Sequence, residues 1–424
     1  MATDAGTAAR RGALKLLDGV LGRGQLISEL LAAGTLDPLV PADRARAQRL
    51  ALQTLRGLAR ADSLLAPHLR RTPALAVQNA LRLGTVELCH GEAAYGVVHD
   101  LVSIVAADRR HARLKGLVNA VLRKIADRAP QVWAELPIPR LPEPLRARFL
   151  SAWGETVVAA MERAHFQGAP LDLTLARRSG GRVSGLPGHR LPTGSWRVPA
   201  AGQVSALPGF AEGAWWVQDA AAAIPVQCLA PEPGAQVIDL CAAPGGKTLQ
   251  LADLGARVVA VDRSAARMAQ LRDNLARTGL TATLRVGDAL DETGAYDAVL
   301  LDAPCSATGT IRRHPDLPFV KADLDLAPLV DLQRRLLDHA WRLLRPGGRL
   351  AYCTCSLLPE EGEAQLRAAL ERLPGIAVDR PSLDRPGLSG AWITAEGGLR
   401  LRPDYWPDRG GMDGFFLAIL HKAR

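Results

Sequence analysis

The second half of the chain alternates short runs rich in β-branched residues with longer amphipathic stretches, and this pattern restricts the fold most. The strand-like runs are Val237–Leu240, Val258–Asp262, Val299–Asp302 and Leu350–Tyr352, and the main amphipathic stretches cover residues 264–277 and 331–344. A repeated strand–helix order predicts a mostly parallel sheet with helices on both faces. Because ligands of such sheets bind beyond the carboxyl ends of the strands, we expect the functional residues there.

The first of these strands ends in a loop of small residues, which reads Asp-Leu-Cys-Ala-Ala-Pro-Gly-Gly-Lys-Thr at positions 239–248. Glycines let the backbone approach a ligand closely, and the next helix offers unpaired N–H groups at its start. Asp262 ends the second strand, where a carboxylate can accept hydrogen bonds from a ribose diol. Asp288 closes a third strand and can bond an adenine amino group. Each acid alone could be a helix N-cap, but together with the loop they predict a nucleoside cofactor.

Cysteines follow the last two strand-like runs. The sequence reads Asp302-Ala-Pro-Cys-Ser after one run and Cys353-Thr-Cys-Ser after the next. Because neighbouring parallel strands end at the same edge, we expect Asp302, Cys305 and Cys355 around one pocket. A single cysteine is more often a small buried hydrophobe than a nucleophile, but two at this edge favour a chemical role. The spacing does not match a zinc knuckle and no His or Cys pair follows, so we expect no metal.

The apolar pattern of residues 1–135 predicts a compact bundle of helices. Apolar residues recur there at helical spacing, for example at Val97, Leu101 and Val105, and such stripes indicate core packing. A basic cluster between two of these predicted helices consists of Arg109, Arg110, His111, Arg113 and Lys115. This cluster could contact the phosphates of a nucleic acid, or it could be a solvated turn.

Four prolines within residues 136–144 indicate a stiff linker, because proline interrupts a helix. After it, the alternation of Leu171, Leu173 and Leu175 with smaller or polar residues predicts a strand. We therefore expect three domains, which are a helical bundle at residues 1–135, a linker with a small α+β domain at 136–215, and an α/β domain at 216–424.

The charge of the chain is basic, with 52 Lys and Arg against 43 Asp and Glu and a formal net charge of +9. This balance fits a polyanionic partner as well as ordinary solubility. No apolar run reaches the ~20 residues that a transmembrane helix needs, and the polar start lacks a signal pattern. We therefore expect a cytoplasmic protein without membrane association. Six cysteines in 424 residues are too few for a disulfide framework and indicate reduced thiols.

Four short motifs resemble those of the Sun family of RNA cytosine-5 methyltransferases. They lie at residues 239–248, 302–310, 354–356 and 413–416, and the last of them reads Asp-Gly-Phe-Phe. The segment Lys-Gly-Leu-Val-Asn-Ala-Val-Leu-Arg at 115–123 is similar to the NusB-like RNA-binding domain of the family's ribosomal RNA enzymes. The resemblance implies an all-α NusB-like bundle, a small α+β middle domain and a Rossmann-like methyltransferase domain. It also implies S-adenosylmethionine as cofactor and small-subunit (16S) ribosomal RNA as partner, and we expect a monomer.

The resemblance also assigns roles to single residues. It makes Cys355 the nucleophile and lets Cys305 assist product release. The family's cofactor-binding set carries over to Cys241, Ala242, Ala243, Pro244, Gly245, Gly246, Lys247, Asp262, Asp288 and Asp302. The chain departs from the family pattern at Cys353, an additional thiol that we interpret as a packed strand residue. The loop ending at Phe319 also lacks an expected tryptophan.

The basic residues of that loop are further candidates for RNA contact. They are Arg312, Arg313, His314 and Lys321, which could hold RNA phosphates or could belong to a solvated surface loop.

The implied reaction explains why these groups are present. Carbon 5 of cytosine becomes nucleophilic when a thiolate adds to carbon 6. A protonated Asp302 beside nitrogen 3 could donate a hydrogen bond and a proton, and Lys247 would favour the thiolate of Cys355. One alternative is a non-catalytic RNA-binding assembly factor, which the intact thiols disfavour. A nicotinamide-dependent oxidoreductase is disfavoured because the glycine spacing is not G-x-G-x-x-G.

Overall fold

The computed structural model describes residues 2–199 and 202–424, so that Met1, Ala200 and Ala201 lie outside the described part of the chain. Its described residues form two compact units. The first contains the chain up to Gly168 together with Ile311–Asp323, and the second contains Ala169–Thr310 and Leu324–Arg424. These divisions differ from the expected boundaries at 135 and 215. The reason is that the helix before Gly168 packs with the helical unit, where Arg60 stacks on Phe166 with 4.3 Å between guanidinium carbon and ring centroid.

The first unit is helical, as the apolar stripes predict. Helices and strands are numbered in chain order, and the helices of this unit are α1 (Ala2–Arg23), α2 (Ile27–Ala32), α3 (Pro41–Arg56), α4 (Leu58–Leu65), α5 (Leu75–Cys89), α6 (Ala94–Ala107), α7 (Lys115–Ala126), α8 (Ala129–Glu135), α9 (Glu143–Gln167) and α13 (Leu317–Val320). The predicted stripe of Val97, Leu101 and Val105 is buried in the common core. Helix α9 bends at Gly154, whose φ is +76°.

A buried ion cluster joins three of these helices. Arg10 of α1 donates to both carboxylate oxygens of Glu87 in α5 at 2.8 Å and to Asp100 in α6 at 2.5 Å. All three side chains are less than one tenth exposed. Buried charges require such pairing, since each one alone would be costly to remove from water.

The second unit begins with a small antiparallel sheet in the order β2-β3-β1-β4. Its strands are β1 (Leu171–Leu175), β2 (His189–Arg190), β3 (Trp196–Val198) and β4 (Trp215–Val217). The predicted strand at 171–175 is confirmed. Arg197 of β3 pairs with Asp172 of β1 at 2.6 Å and 2.7 Å, and both side chains are buried.

A large sheet forms the rest of this unit, in the order β10-β12-β9-β8-β5-β6-β7, with β11 paired to β12. The strands are β5 (Gln236–Leu240), β6 (Arg257–Asp262), β7 (Thr283–Val286), β8 (Tyr296–Asp302), β9 (Leu344–Thr354), β10 (Ile376–Val378), β11 (Leu399–Leu401) and β12 (Phe415–Lys422). The helices are α10 (Ala220–Leu229), α11 (Gly246–Asp253), α12 (Ala265–Thr278), α14 (Ala327–Leu343) and α15 (Glu363–Arg372). Strands β5 to β9 pair in parallel and β12 is antiparallel to β9, so the predicted mostly parallel sheet is confirmed.

The described residues contain neither a membrane-spanning helix nor a cluster of metal-ligating side chains. No helix in the described ranges is long and apolar enough to span a membrane. The same ranges contain no group of three or more His, Cys, Asp or Glu side chains placed to hold a metal ion. All six cysteines are described, and each is a free thiol.

Candidate active site

The loop between β5 and α11 passes close to its neighbours and depends on a glycine. Gly245 has a φ of +106°, and an added Cβ there would lie 2.1 Å from Cδ1 of Leu271. Cys241 also has a positive φ, of +63°. Helix α11 begins directly after Gly245, so its first N–H groups adjoin the turn. Glycine is therefore required at position 245 because the Leu271 side chain fills the space that a Cβ would need.

Asp239 lies beneath this loop and holds its two ends together. Its side chain is fully buried, and its Oδ2 accepts a hydrogen bond of 2.6 Å from the Thr248 hydroxyl. Its Oδ1 has no hydrogen-bond partner within the described part of the chain. Burial raises the pKa of Asp239 to about 7, although the Thr248 bond acts in the opposite direction. Asp239 thus supports the loop from below.

Asp262, which ends β6, and Asp288, which follows β7, lie at the carboxyl edge of the sheet, as the sequence predicts. Asp262 accepts hydrogen bonds from the Ala243 N–H at 3.0 Å and the Ser264 N–H at 2.9 Å. Asp288 caps a short turn by accepting from the Leu290 N–H, and it also pairs with Arg263. The Leu290 bond contributes most to lowering the pKa of Asp288. The local capping role is therefore real, but each carboxylate oxygen keeps a further lone pair for a ligand.

Lys247, at the start of α11, forms an ion pair with Asp302 at the end of β8. The Nζ–Oδ2 distance is 2.7 Å, and Lys247 is nearly buried. Its ammonium also lies 5.0 Å from the centroid of the Phe415 ring. Burial lowers the pKa of Lys247, but the charges of Asp302 and Cys353 outweigh burial and raise it. The loop thus places a fixed positive charge at the edge of the sheet.

The two predicted thiols meet beside this ion pair. Strands β8 and β9 align Asp302 with Cys353, and the segments that follow bring Cys305 Sγ within 3.5 Å of Cys355 Sγ. The hydrogen bond to Cys355, followed by burial, raises the pKa of Cys305 well above the ordinary thiol value. Cys353 is fully buried in β9 and its thiol donates to Asp302 at 3.5 Å, in agreement with its interpretation as a packed strand residue.

The Asp-Gly-Phe-Phe motif contributes a point of close backbone contact. The Gly309 N–H donates to the Cys355 carbonyl at 2.9 Å, and the Gly414 N–H donates to the Gly309 carbonyl at 2.8 Å. A Cβ added to Gly309 would lie 1.9 Å from the Gly414 oxygen. Glycine is therefore needed where the loop of Cys305, the loop of Cys355 and the start of β12 meet.

One site residue escaped the sequence analysis. Glu361, in the short turn Pro359–Glu361, is fully buried and hydrogen-bonded to both cysteine loops. Its only sequence signal is an acid followed by glycine, a few residues after Cys355, and that pattern is equally typical of an exposed turn.

One residue of the basic loop after Thr310, Arg312, differs from both expectations made for that loop. Residues 311–323 belong to the first unit, and Arg312 is fully buried there. Arg312 therefore neither lies on a solvated surface nor is open to RNA phosphates, whereas Arg313 and His314 are exposed. In the other basic cluster, Arg109 and Lys115 are also exposed. The burial of Arg312 depends on packing that a local pattern does not record.

Comparison with known proteins agrees with this architecture. Residues 226–421 match the family model "16S rRNA methyltransferase RsmB/F", and residues 7–127 match the NusB family. The Ribosomal RNA small subunit methyltransferase B of Cronobacter sakazakii is 38% identical over 336 residues, covering 74% of each chain. The protein of the same name from Citrobacter koseri is 34% identical over 436 residues, covering 97% of this chain and 98% of that one.

A solved structure shares the fold over nearly the whole chain. The crystal structure of PH0851 covers 99% of this chain and 98% of that chain, with a TM-score of 0.74 and 24% identity. Together with the match of the methyltransferase model to the large sheet, the similarity to relatives that span the full length decides the family. The chain belongs to the RsmB/F family of S-adenosylmethionine-dependent RNA methyltransferases and carries a NusB-family domain.

Proposed function

We propose that the chain transfers a methyl group from S-adenosylmethionine to carbon 5 of a cytosine in 16S ribosomal RNA, through a covalent bond between Cys355 and the base. The observation that supports this most is the pair of thiols 3.5 Å apart at the carboxyl ends of β8 and β9. An amine or hydroxyl acceptor is nucleophilic already and needs no thiol, whereas carbon 5 needs activation by one. The names of the curated relatives support small-subunit ribosomal RNA as the substrate.

The residues around the glycine loop fit S-adenosylmethionine. The turn at Gly245 leads into the first N–H groups of α11, and the carboxylates of Asp262 and Asp288 can accept from ribose hydroxyls and an adenine amino group. We therefore assign Cys241–Lys247, Asp262, Asp288 and Asp302 to its binding. When bound, S-adenosylmethionine supplies an electrophilic methyl group.

The chain's own groups then account for activation of the base. A cytosine must leave the RNA stack to reach this edge of the sheet. Cys355 adds to carbon 6, and the negative charge that develops on the ring spreads to nitrogen 3. Lys247 carries the positive charge and the protons of its ion pair with Asp302, so the ammonium can stabilise that charge, whereas Asp302 is the hydrogen-bond acceptor of the pair and not the proton donor expected from the sequence. Carbon 5 becomes electron-rich and accepts the methyl group.

Cys305 is placed to assist the final step. After methylation, solvent water takes the proton from carbon 5, the electron pair of that C–H bond restores the double bond between carbons 5 and 6, and the bond between Cys355 and carbon 6 breaks. The departing sulfur carries negative charge. The thiol of Cys305 is 3.5 Å away and its pKa is raised, first by the hydrogen bond to Cys355, so it is protonated and can donate to that sulfur. A charge-stabilised thiolate leaves more readily.

Two cysteine variants test this assignment. Cys355→Ala should lower methylation by more than about a thousandfold, because the attacking group is removed. Cys305→Ala should retain the attack but slow release, so an RNA–protein adduct should accumulate as a slowly migrating band on a denaturing gel. Bisulfite mapping of 16S rRNA incubated with the wild-type chain would give the modified position.

A buried thiol elsewhere in the unit provides the control. Cys228, in α10, is fully buried in a hydrophobic core, and alanine keeps a small apolar side chain there, so Cys228→Ala should methylate like the wild type. An active Cys355→Ala variant combined with no adduct from Cys305→Ala would contradict the assignment. A wild-type chain that binds S-adenosylmethionine and 16S rRNA but methylates no cytosine would instead favour the non-catalytic assembly factor.

A further inference from the structure

The thiols of Cys305 and Cys355 lie on loops beyond the point where backbone pairing between β8 and β9 ends. Backbone pairing between β8 and β9 ends with the bond from the Ala303 N–H to the Cys353 carbonyl at 2.9 Å. Cys305 and Cys355 both lie beyond that point and are half-buried. Reacting groups need to be held within about 0.5 Å of their productive positions. Contacts between the loops must therefore fix the distance, and they include the Gly309 N–H to Cys355 carbonyl bond at 2.9 Å and the contact between the Ser306 and Ser356 hydroxyls at 3.1 Å.

A single carboxylate connects the residues next to the two cysteines. Glu361 accepts hydrogen bonds from the Ser306 N–H at 2.9 Å and the Ser306 hydroxyl at 2.5 Å. Its Oε2 also accepts from the Ser356 hydroxyl at 2.5 Å. Ser306 directly follows Cys305, and Ser356 directly follows Cys355. The Glu361 carboxylate thus links the backbone segments that carry the two thiols.

The same glutamate is anchored to two further elements. The Gln333 side chain of α14 donates to Glu361 Oε1 at 2.9 Å and to the Pro304 carbonyl at 2.8 Å. The backbone carbonyl of Glu361 accepts from the Tyr352 hydroxyl at 2.8 Å and the Thr354 hydroxyl at 3.3 Å. Glu361 is therefore held against both the helix and strand β9, so it can fix the loops with respect to the sheet.

The negative charge of Glu361 matters in addition to its shape. Four donor groups converge on its two oxygens, and hydrogen bonds to a buried carboxylate are stronger than those between neutral groups. A glutamine has the same size but replaces one acceptor oxygen with a donor. The charge also adds, after the Cys355 hydrogen bond and burial, to the raised pKa of Cys305.

We propose that Glu361 is a positioning residue for methyl transfer, which holds the Cys305 and Cys355 loops together so that their thiols face each other. Its carboxylate is hydrogen-bonded to Ser306 and Ser356, the residues that directly follow the two cysteines. The catalytic roles of the two thiols rest on the proposed function, whereas the distance between the thiols is independent of it. The two can therefore be tested separately.

The distance between the thiols can be measured by oxidation of the full-length chain with diamide. The Cys305 and Cys355 thiols lose two protons and two electrons and form one S–S bond, and the N=N bond of diamide takes up both and becomes a hydrazine. Two facing thiols cross-link readily, so we expect a fast reaction in the wild type. Glu361→Gln should slow the cross-link at least about tenfold. Mass spectrometry of the peptides identifies the pair, and separate alkylation by iodoacetamide corrects for altered thiol reactivity.

The matched control is the neighbouring acid in the same turn. Glu360 is exposed, so Glu360→Gln should cross-link like the wild type. In methylation assays, Glu361→Gln should lower kcat about 10- to 100-fold, as expected for loss of one charge-assisted contact, with KM for RNA and affinity for S-adenosylmethionine unchanged. If Glu361→Gln does not fold, Ser356→Ala removes the hydroxyl that bonds Glu361 and contacts Ser306 and Thr308, and it should slow the cross-link in the same direction.

The outcomes distinguish the positioning role of Glu361 from the proposed methylation function. A folded Glu361→Gln chain that cross-links and turns over at the wild-type rates overturns the positioning role. A slowed cross-link in a series in which even the wild type methylates no cytosine supports the positioning role and rejects the proposed function. A slowed cross-link with a fall in kcat alone supports both.

Discussion

At the scale of single residues, Lys247 organises the charges of the site. The basic residues of this chain are overwhelmingly arginines, yet the first turn of α11 carries a lysine. Its compact ammonium fits between Asp302 and the face of the Phe415 ring, 2.7 Å from the carboxylate and 5.0 Å from the ring centroid. A planar guanidinium is larger and is geared to bidentate contacts. Lys247 is thus suited to a small, nearly closed position.

The burial of Asp239 predicts that the free energy of unfolding depends on pH. Burial raises its pKa to about 7, so the folded state binds this proton more tightly than the unfolded state. The corresponding stability is fully present at low pH, below the unfolded pKa, and is lost as the pH rises toward about 7. Asp239→Asn cannot ionise. Between about pH 5 and about pH 7.5, the free energy of unfolding of the wild type should therefore fall relative to that of Asp239→Asn.

Urea denaturation at the two pH values measures this difference. Asp273 lies exposed on α12, so Asp273→Asn serves as the control and should follow the wild type. Parallel stability curves for the wild type and Asp239→Asn would show that the buried carboxyl does not take up a proton on folding.

At the scale of elements, the strands were predictable and the contacts between loops were not. Short apolar runs identify β5, β6, β8 and β9, because buried parallel strands need apolar side chains on both faces. The parallel order also places the cysteine loops at one edge. The contacts of Gly309 with Gly414 and of Ser306 with Glu361 join residues far apart in the chain, and local periodicity carries no information about such pairs.

The close backbone contact at Gly309 predicts that a side chain at this position lowers stability. A Cβ in Gly309→Ala would meet the Gly414 oxygen at 1.9 Å, so the loops must separate. We expect a loss of about 1–3 kcal/mol in the free energy of unfolding, together with reduced methylation. Gly390→Ala is the control, since nothing lies within 4 Å of its added Cβ. Urea denaturation of both variants measures the difference, and equal stability would contradict a limiting close approach.

At the scale of the whole molecule, the chain connects the two units more than once. The segment after Thr310 leaves the second unit and packs among the helices of the first. There the Asp316 carboxylate accepts from the Ile27 N–H at the start of α2, at 2.8 Å, and Phe319 packs against the helical core. The segment that follows the Cys305 motif is thus part of the NusB-family unit.

Removal of residues 1–135 tests this arrangement. The truncated chain would leave Ile311–Asp323 without the helices on which it packs, so we expect rapid cleavage there in limited proteolysis. S-adenosylmethionine affinity should remain in calorimetric titration, because the assigned residues all lie in the second unit. RNA affinity should fall, since the exposed basic cluster around Arg109 and Lys115 is removed. Unchanged cleavage of the segment would contradict its packing role.

The sequence by itself determined the order of strands and helices, the parallel sheet and the edge at which the loop of Gly245 and the two thiols lie. These follow from periodicity and from the rule that parallel strands end together, which act over short stretches of chain. Only the tertiary structure decided that Glu361 links the cysteine loops and that Arg312 is buried in the helical unit. Both depend on side chains that meet through folding across long separations, where identity alone does not distinguish a buried acid or arginine from an exposed one.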